Sequence, residues 1–184
     1  MKLKLIFAAL CLTLCNHVAA ELPRTAPDWT LRSTDGDLIT LSEVAADQPV
    51  ILLFWATWCP YCKALMPHIQ SIRLEHGDSV RILAVHFRDD DGDPIAFIEN
   101  AGYDFTVLPD GGEVAKLNGM WGTPGVLLVD AELTVQYDRY ELPKLEVPDD
   151  SGKRSHSRKA GLLAPYWASE LRKSLDSVLA GSSD

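Results

Sequence analysis

Val50-Ile51-Leu52-Leu53-Phe54-Trp55-Ala56-Thr57-Trp58-Cys59-Pro60-Tyr61-Cys62 is the stretch whose reading decides the fold. Val50 to Ala56 is a continuous apolar run, the pattern of a central strand buried on both faces. It delivers a C-x-x-C to a segment, Cys59 to about His76, that reads as a helix ended by Gly77. Leu65, Ile69, Ile72 and Leu74 are its expected apolar side, and Pro67 should kink it. The first N–H groups of a helix lack intrahelical partners and lie at the positive end of its dipole. A thiolate there is stabilised, and its pKa falls from about 8.5 into a range of roughly 3.5–7.5. Cys59 is therefore the expected nucleophile of disulfide exchange. Cys62, one turn along the same face, is the expected resolving thiol.

Two plainer readings of the pair are weaker. A structural zinc takes four ligands, often from a second C-x-x-C, and His68 and His76 do not supply the spacing. A purely structural disulfide across four residues would close a very small loop and gain little. No metal and no cofactor is expected.

Compartment follows from the N-terminus. Lys2 and Lys4 precede an apolar run from Leu5 to Leu14, and Val18-Ala19-Ala20 supplies small residues before Glu21. Residues 1–20 are thus an expected secretory signal peptide, cleaved after Ala20. The run is shorter than the ~20 apolar residues of a membrane span, so no membrane insertion is expected once it is removed. Leu10 before Cys11 and Leu14 before Cys15 disfavour a lipoprotein. Cleavage leaves Cys59 and Cys62 as the only thiols, in a compartment where disulfides persist. It also removes two of the 17 basic residues and none of the 26 acidic ones, so 15 against 26 leaves a net charge of −11. That charge argues against nucleic acid as a partner. The 184 residues, 47% hydrophobic and 23% charged, suit one globular domain, residues 21–184, and a monomer is expected.

Along the chain, Asp28 to Leu31 and Leu38 to Leu41 read as a β-hairpin with Gly36 at its tip, followed by a short helix from Ser42. Val80 to Phe87 is a second buried strand, parallel to the first. Asp89-Asp90-Asp91-Gly92-Asp93 lacks the Gly position and closing Glu of a calcium loop. It reads as a solvated turn, with Asp93 as N-cap and Pro94 opening the next helix, to Asn100. Phe105 to Leu108 is extended and Gly112 to Asn118 a short helix or turn. Gly122-Thr123-Pro124-Gly125 leads into a strand, Val126 to Asp130, paired as a hairpin with Leu133 to Tyr140. The Ala131-Glu132 turn lacks the usual Gly or Asn. Glu141 to Gly161 reads as a long inserted loop, about 141–161, with a basic cluster of Lys153, Arg154, Arg158 and Lys159. An amphipathic helix, about 166–179, closes the chain on Trp167, Leu171, Leu175, Val178 and Leu179.

Four features together resemble the exported TlpA-like and ResA-like thiol–disulfide oxidoreductases of the thioredoxin superfamily. They are Ala26-Pro27-Asp28-Trp29, Trp55 to Cys62, Pro67, and Gly122-Thr123-Pro124. The resemblance covers roughly Pro27 to Tyr140 and implies an α/β, thioredoxin-like fold: a mixed central sheet flanked by helices, with an N-terminal β-hairpin. It implies a periplasmic enzyme that exchanges disulfides with protein substrates through Cys59-Pro60-Tyr61-Cys62, with cytochrome c maturation and general thiol homeostasis as the candidate roles. A membrane thiol electron-transfer protein is the implied second partner. Pro124 is expected to be cis and to face the thiols, with the Thr123 backbone pairing to substrate. Trp58, Pro60 and Tyr61 complete the expected substrate-binding set.

The chain departs from that family where the chemistry needs a proton acceptor. Leu53 stands six residues before Cys59, where thioredoxins carry a buried Asp, and Leu65 three residues after Cys62, where TlpA-like reductases often carry Glu. Leu65 is expected to reach solvent, which would make Leu65→Glu the gentler way to restore an acid. Two other chemistries share this fold. A copper-handling Sco-like protein would use C-x-x-x-C and a distant His, and here the spacing is one residue short and His86 is the His near a strand end. A peroxiredoxin-like peroxidase would need Thr three residues before the reactive Cys, whereas Thr57 lies two before Cys59.

Overall fold

The computed structural model describes residues 23–147 and 156–181. The expected signal peptide and its cleavage point, and Lys153 and Arg154 of the basic cluster, lie outside the described residues. In chain order the elements are β1 (Thr30–Arg32), β2 (Leu38–Thr40), α1 (Leu41–Asp47), β3 (Val50–Trp55) and α2 (Pro60–His76). Then come β4 (Arg81–His86), α3 (Pro94–Ala101), β5 (Thr106–Leu108), α4 (Gly112–Leu117), β6 (Gly125–Val129), β7 (Val135–Asp138) and α5 (His156–Gly181). β1 and β2 form the expected hairpin, with Thr30 opposite Thr40 and Gly36 at φ +94° in the turn. The other five strands form one mixed sheet in the order β5-β4-β3-β6-β7.

All six residues of β3 are buried because helices cover both faces of the sheet. Side chains alternate across a strand, and the two faces carry two cores. Ile51, Leu53 and Trp55 pack with Cys59, Cys62, Leu65, Met66 and Ile69 of the thiol segment and with Trp167, Leu171 and Leu175 of α5. Val50, Leu52 and Phe54 pack with Trp29, Leu41 and Ala45 and with Val114, Ala115 and Met120. β4 runs parallel to β3, as the βαβ connection requires. β6 runs antiparallel to β3, with Val50 opposite Val129 and Phe54 opposite Gly125. The end of β3 and the start of β6 therefore lie side by side.

Four expectations are corrected. The closing helix begins at His156, not near Tyr166, so residues 156–161 are helical rather than loop, and Arg158 and Lys159 sit in its first turns. Ala160, Ala164, Trp167, Ala168, Leu171 and Leu175 are its buried residues, a spacing that seats it on α2 across both Gly161 and Pro165. Leu74 is 72% exposed. It lies two residues beyond Ile72, about 200° further round the helix, away from the buried stripe of Leu65, Ile69 and Ile72. Leu65 is 1% exposed and does not reach solvent. Asp89, read as part of a solvated turn, has a side chain only 5% exposed. Asp93 does cap α3, its Oδ1 accepting from the Ala96 N–H at 2.9 Å.

The turn between β6 and β7 is built by a side chain instead of a glycine. Asp130 Oδ1 accepts from the N–H groups of Glu132 at 3.1 Å and Thr134 at 2.8 Å. Leu133 takes a left-handed φ of +60° inside that frame.

Candidate active site

Cys59 ends the turn after β3 and is itself the N-cap of α2, with extended backbone at φ −77° and ψ 111°. Its N–H donates to Ala56 O at 3.2 Å. Its sulfur takes the place of a capping oxygen and accepts from the Cys62 N–H at 3.1 Å. Pro60 occupies the first helical position, where its missing N–H costs nothing. Both cysteines are free thiols and both are buried. The Cys59 thiol is pulled down to about 6, first by the hydrogen bond from the Cys62 thiol. Burial opposes the fall, and the Thr123 hydroxyl and the Cys62 and Tyr61 N–H groups assist it. The Cys62 thiol moves the other way: burial pushes it up, it gives its proton to a hydrogen bond with Cys59, and it faces the Cys59 charge. The two shifts run in opposite directions, which makes Cys59 the stronger acid of the pair.

The Thr123–Pro124 peptide bond is cis. The antiparallel pairing of β3 and β6 brings it to the thiols. The sequence reading gave Thr123 a role through its backbone, and its side-chain hydroxyl also acts on both sulfurs. The remaining expected substrate-binding residues divide. Trp58 is 58% exposed, with its Nε1–H donating to Arg88 O at 3.0 Å. Tyr61 is turned against α5: its ring lies 6.1 Å from that of Trp167, and its hydroxyl is 3.3 Å from His156 Nδ1.

Several residues beside the site carried no recognisable signal in the sequence. Asp89 Oδ2 accepts from the Thr57 N–H at 2.6 Å and from its hydroxyl at 2.5 Å, and meets His86 Nε2 at 3.0 Å. Burial raises the Asp89 pKa, but the Thr57 and His86 hydrogen bonds outweigh it and hold the carboxyl below the usual range. The stretch Asp89, Asp90, Asp91 and Asp93 gives no hint that one member is buried. Nor does it show that Gly92 lies against the cluster, where an added Cβ would fall 2.3 Å from Asp89 Oδ2 and 2.4 Å from Thr57 Oγ1. The Thr57 hydroxyl proton is thus committed to Asp89. His86 faces Asp89 and the Trp55 ring.

The described residues contain no helix long and apolar enough to cross a membrane. The family model described as AhpC/TSA matches residues 23–138. The thiol:disulfide interchange protein DsbE of Escherichia coli (strain K12) is 26% identical over 126 residues, which is 66% of each chain. A crystal structure of a candidate DsbE thiol:disulfide interchange protein from Chlorobium tepidum is 28% identical. It covers 63% of this chain and 82% of that one, with a TM-score of 0.57. StoA from Bacillus subtilis, at 24% identity and a TM-score of 0.52, shares the fold over 63% of this chain and 89% of its own. With a mixed sheet flanked by helices, a dithiol at a helix start and relatives that are thiol:disulfide interchange proteins, the chain belongs to the AhpC/TSA family of thioredoxin fold.

Proposed function

We propose that this chain is an exported thiol–disulfide oxidoreductase that acts on protein substrates in the periplasm through Cys59-Pro60-Tyr61-Cys62. The observation that carries the reading is the split within the pair: Cys59, capping α2 and accepting from the Cys62 N–H, is held near 6, while Cys62 keeps its proton. The Cys59 thiolate attacks one sulfur of a substrate disulfide. A Cys59–substrate bond forms as the substrate S–S bond breaks, and one substrate thiolate leaves. Cys62 then loses its proton to solvent at the mouth of the site and attacks Cys59 Sγ. The Cys59–Cys62 disulfide forms and the second substrate thiol departs. The substrate gains the two electrons that the pair loses, and the reverse sequence oxidises a substrate dithiol.

DsbE of Escherichia coli is named a thiol:disulfide interchange protein, and exported thiol proteins are the substrates proposed here. Cytochrome c maturation or general thiol homeostasis is the finer role proposed, with a membrane thiol protein restoring the reduced pair and the mature chain, residues 21–184, acting as a monomer. The test is a Cys62→Ser variant expressed with its signal segment in a bacterial periplasm. Resolution is blocked, so mixed disulfides through Cys59 should accumulate and dissolve on reduction. Failure of Cys62→Ser to trap any partner, together with turnover of peroxide by the wild type, would replace exchange with peroxidase chemistry.

A further inference from the structure

Three carbonyls of the Trp121–Pro124 segment are taken by side chains from elsewhere in the chain. Arg88 Nη1 donates to Trp121 O at 2.6 Å. Tyr140 Oη donates to Gly122 O at 2.6 Å. Arg139 Nε donates to Pro124 O at 2.6 Å. The carbonyls on both sides of Thr123 are therefore held by neighbouring residues of one 3-10 turn, Arg139–Glu141.

The holders are themselves fixed. The Arg139 guanidinium lies 4.1 Å from the centre of the Tyr140 ring and 4.8 Å from that of Trp167 in α5. The Tyr140 N–H donates to buried Asp138 Oδ1 at 2.8 Å, and Asp138 pairs with Arg24. Arg88 joins the two loops of the site, since its own carbonyl accepts from the Trp58 indole next to Cys59. It adopts a left-handed φ of +59° to do so.

We infer that Arg88, Arg139 and Tyr140 are positioning residues that set the Thr123 hydroxyl against the Cys59 sulfur by fixing the backbone on either side of it. The inference rests on the exchange reading above. None of the three touches the thiols; each acts through the peptide it holds. The groups acting on Cys59 itself are the Cys62 thiol, the Thr123 hydroxyl and the Cys62 and Tyr61 N–H groups. The charged side chains at the clamp are Arg88, Arg139, Asp138, Arg24 and Glu141, which lies 3.7 Å from Arg24, and the Asp89–His86 pair holds Thr57 on the other loop.

The test is the pH midpoint of Cys59 thiolate formation, followed by absorbance at 240 nm on the reduced protein. It needs no substrate, so it can fail or succeed independently of the exchange assay. Thr123→Val should raise the midpoint by about one unit, the loss of one hydrogen bond to a charged group. Tyr140→Phe removes one hydroxyl and no charge, and should move the midpoint in the same direction by a smaller amount. Arg139→Met should do likewise, with Arg139→Lys giving partial rescue. In the Thr123→Val background, Tyr140→Phe should add nothing. A Tyr140→Phe protein with a wild-type melting curve and an unmoved midpoint would overturn the inference. So would a shift of equal size with and without the Thr123 hydroxyl.

Discussion

Replacing Cys62 by Ala and, separately, by Ser separates what the helix start does for Cys59 from what its neighbour does. The Cys59 sulfur accepts from the Cys62 N–H at 3.1 Å, which either substitution leaves in place. The Cys62 thiol is the largest single cause of the fall to about 6, and Cys62→Ala removes it. A hydrogen bond to a charged group contributes about 1.5–3 kcal/mol, or about 1–2 pKa units. The Ala variant should therefore titrate at about 7–8, whereas Ser, which restores an O–H donor, should stay close to 6. A weaker acid is also a better nucleophile, with a Brønsted slope of about 0.4–0.5. Alkylation of Cys62→Ala by iodoacetamide should then be about 3- to 15-fold slower than Cys62→Ser at pH 5, and severalfold faster at pH 9. The two rate profiles should cross. Superimposable profiles for Ala and Ser would mean that the helix N–H groups set the thiolate without help from residue 62.

Gly92→Ala should cost about 1–3 kcal/mol, read as a fall in the denaturation midpoint, because the new methyl meets Asp89 and Thr57 at 2.3 and 2.4 Å. Asp89 titrates below its unfolded value, so it contributes stability above its unfolded pKa that is lost as pH falls through the folded one. Acid titrations of thermal stability should show the wild type losing more than Asp89→Asn below about pH 5, with parallel curves speaking against the carboxylate. Leu65→Glu places a carboxyl in a site 1% exposed, beside Cys62 in the same core, and should destabilise by a few kcal/mol when ionised. If that variant stays folded, resolution by Cys62 should gain rate near neutral pH; an unchanged profile would mean that the missing acid is not what limits proton transfer.

The sheet, the hairpin and the thiol helix were legible because they rest on local patterns. A seven-residue apolar run, a C-x-x-C behind it and Pro60 at the first helical position each speak within a few residues. α5 was legible only in its second half. Gly161 and Pro165 carry poor helix propensity, and the first half is held by burial of Ala160 and Ala164, a tertiary term that outweighs propensity. The burial of Leu65 is not legible, because helix periodicity marks an apolar face without saying how deep it lies. The polar supports were the least legible. Asp89, Arg139 and Tyr140 act across 32, 15 and 18 residues of chain respectively, and nothing in their neighbours marks them among the other Asp, Arg and Tyr residues.

The ladder between β3 and β6 has a consequence for how such a protein can diversify. It brings the segment after Trp55 next to the segment before Gly125, and Arg88 then bridges the two. The intervening chain leaves the thiols, forms α2, β4, α3, β5 and α4, and returns to pair beside β3. Loops of that excursion away from Arg88 and Asp89 can lengthen or shorten without altering the span between Cys59 and Pro124. A slip of the ladder by two residues, the smallest that keeps each side chain on its face, would move them apart by about 7 Å and abolish the site. Thiol chemistry is therefore tied to one run of backbone pairing and to the few loop residues that brace it, while the rest of the excursion is free to drift.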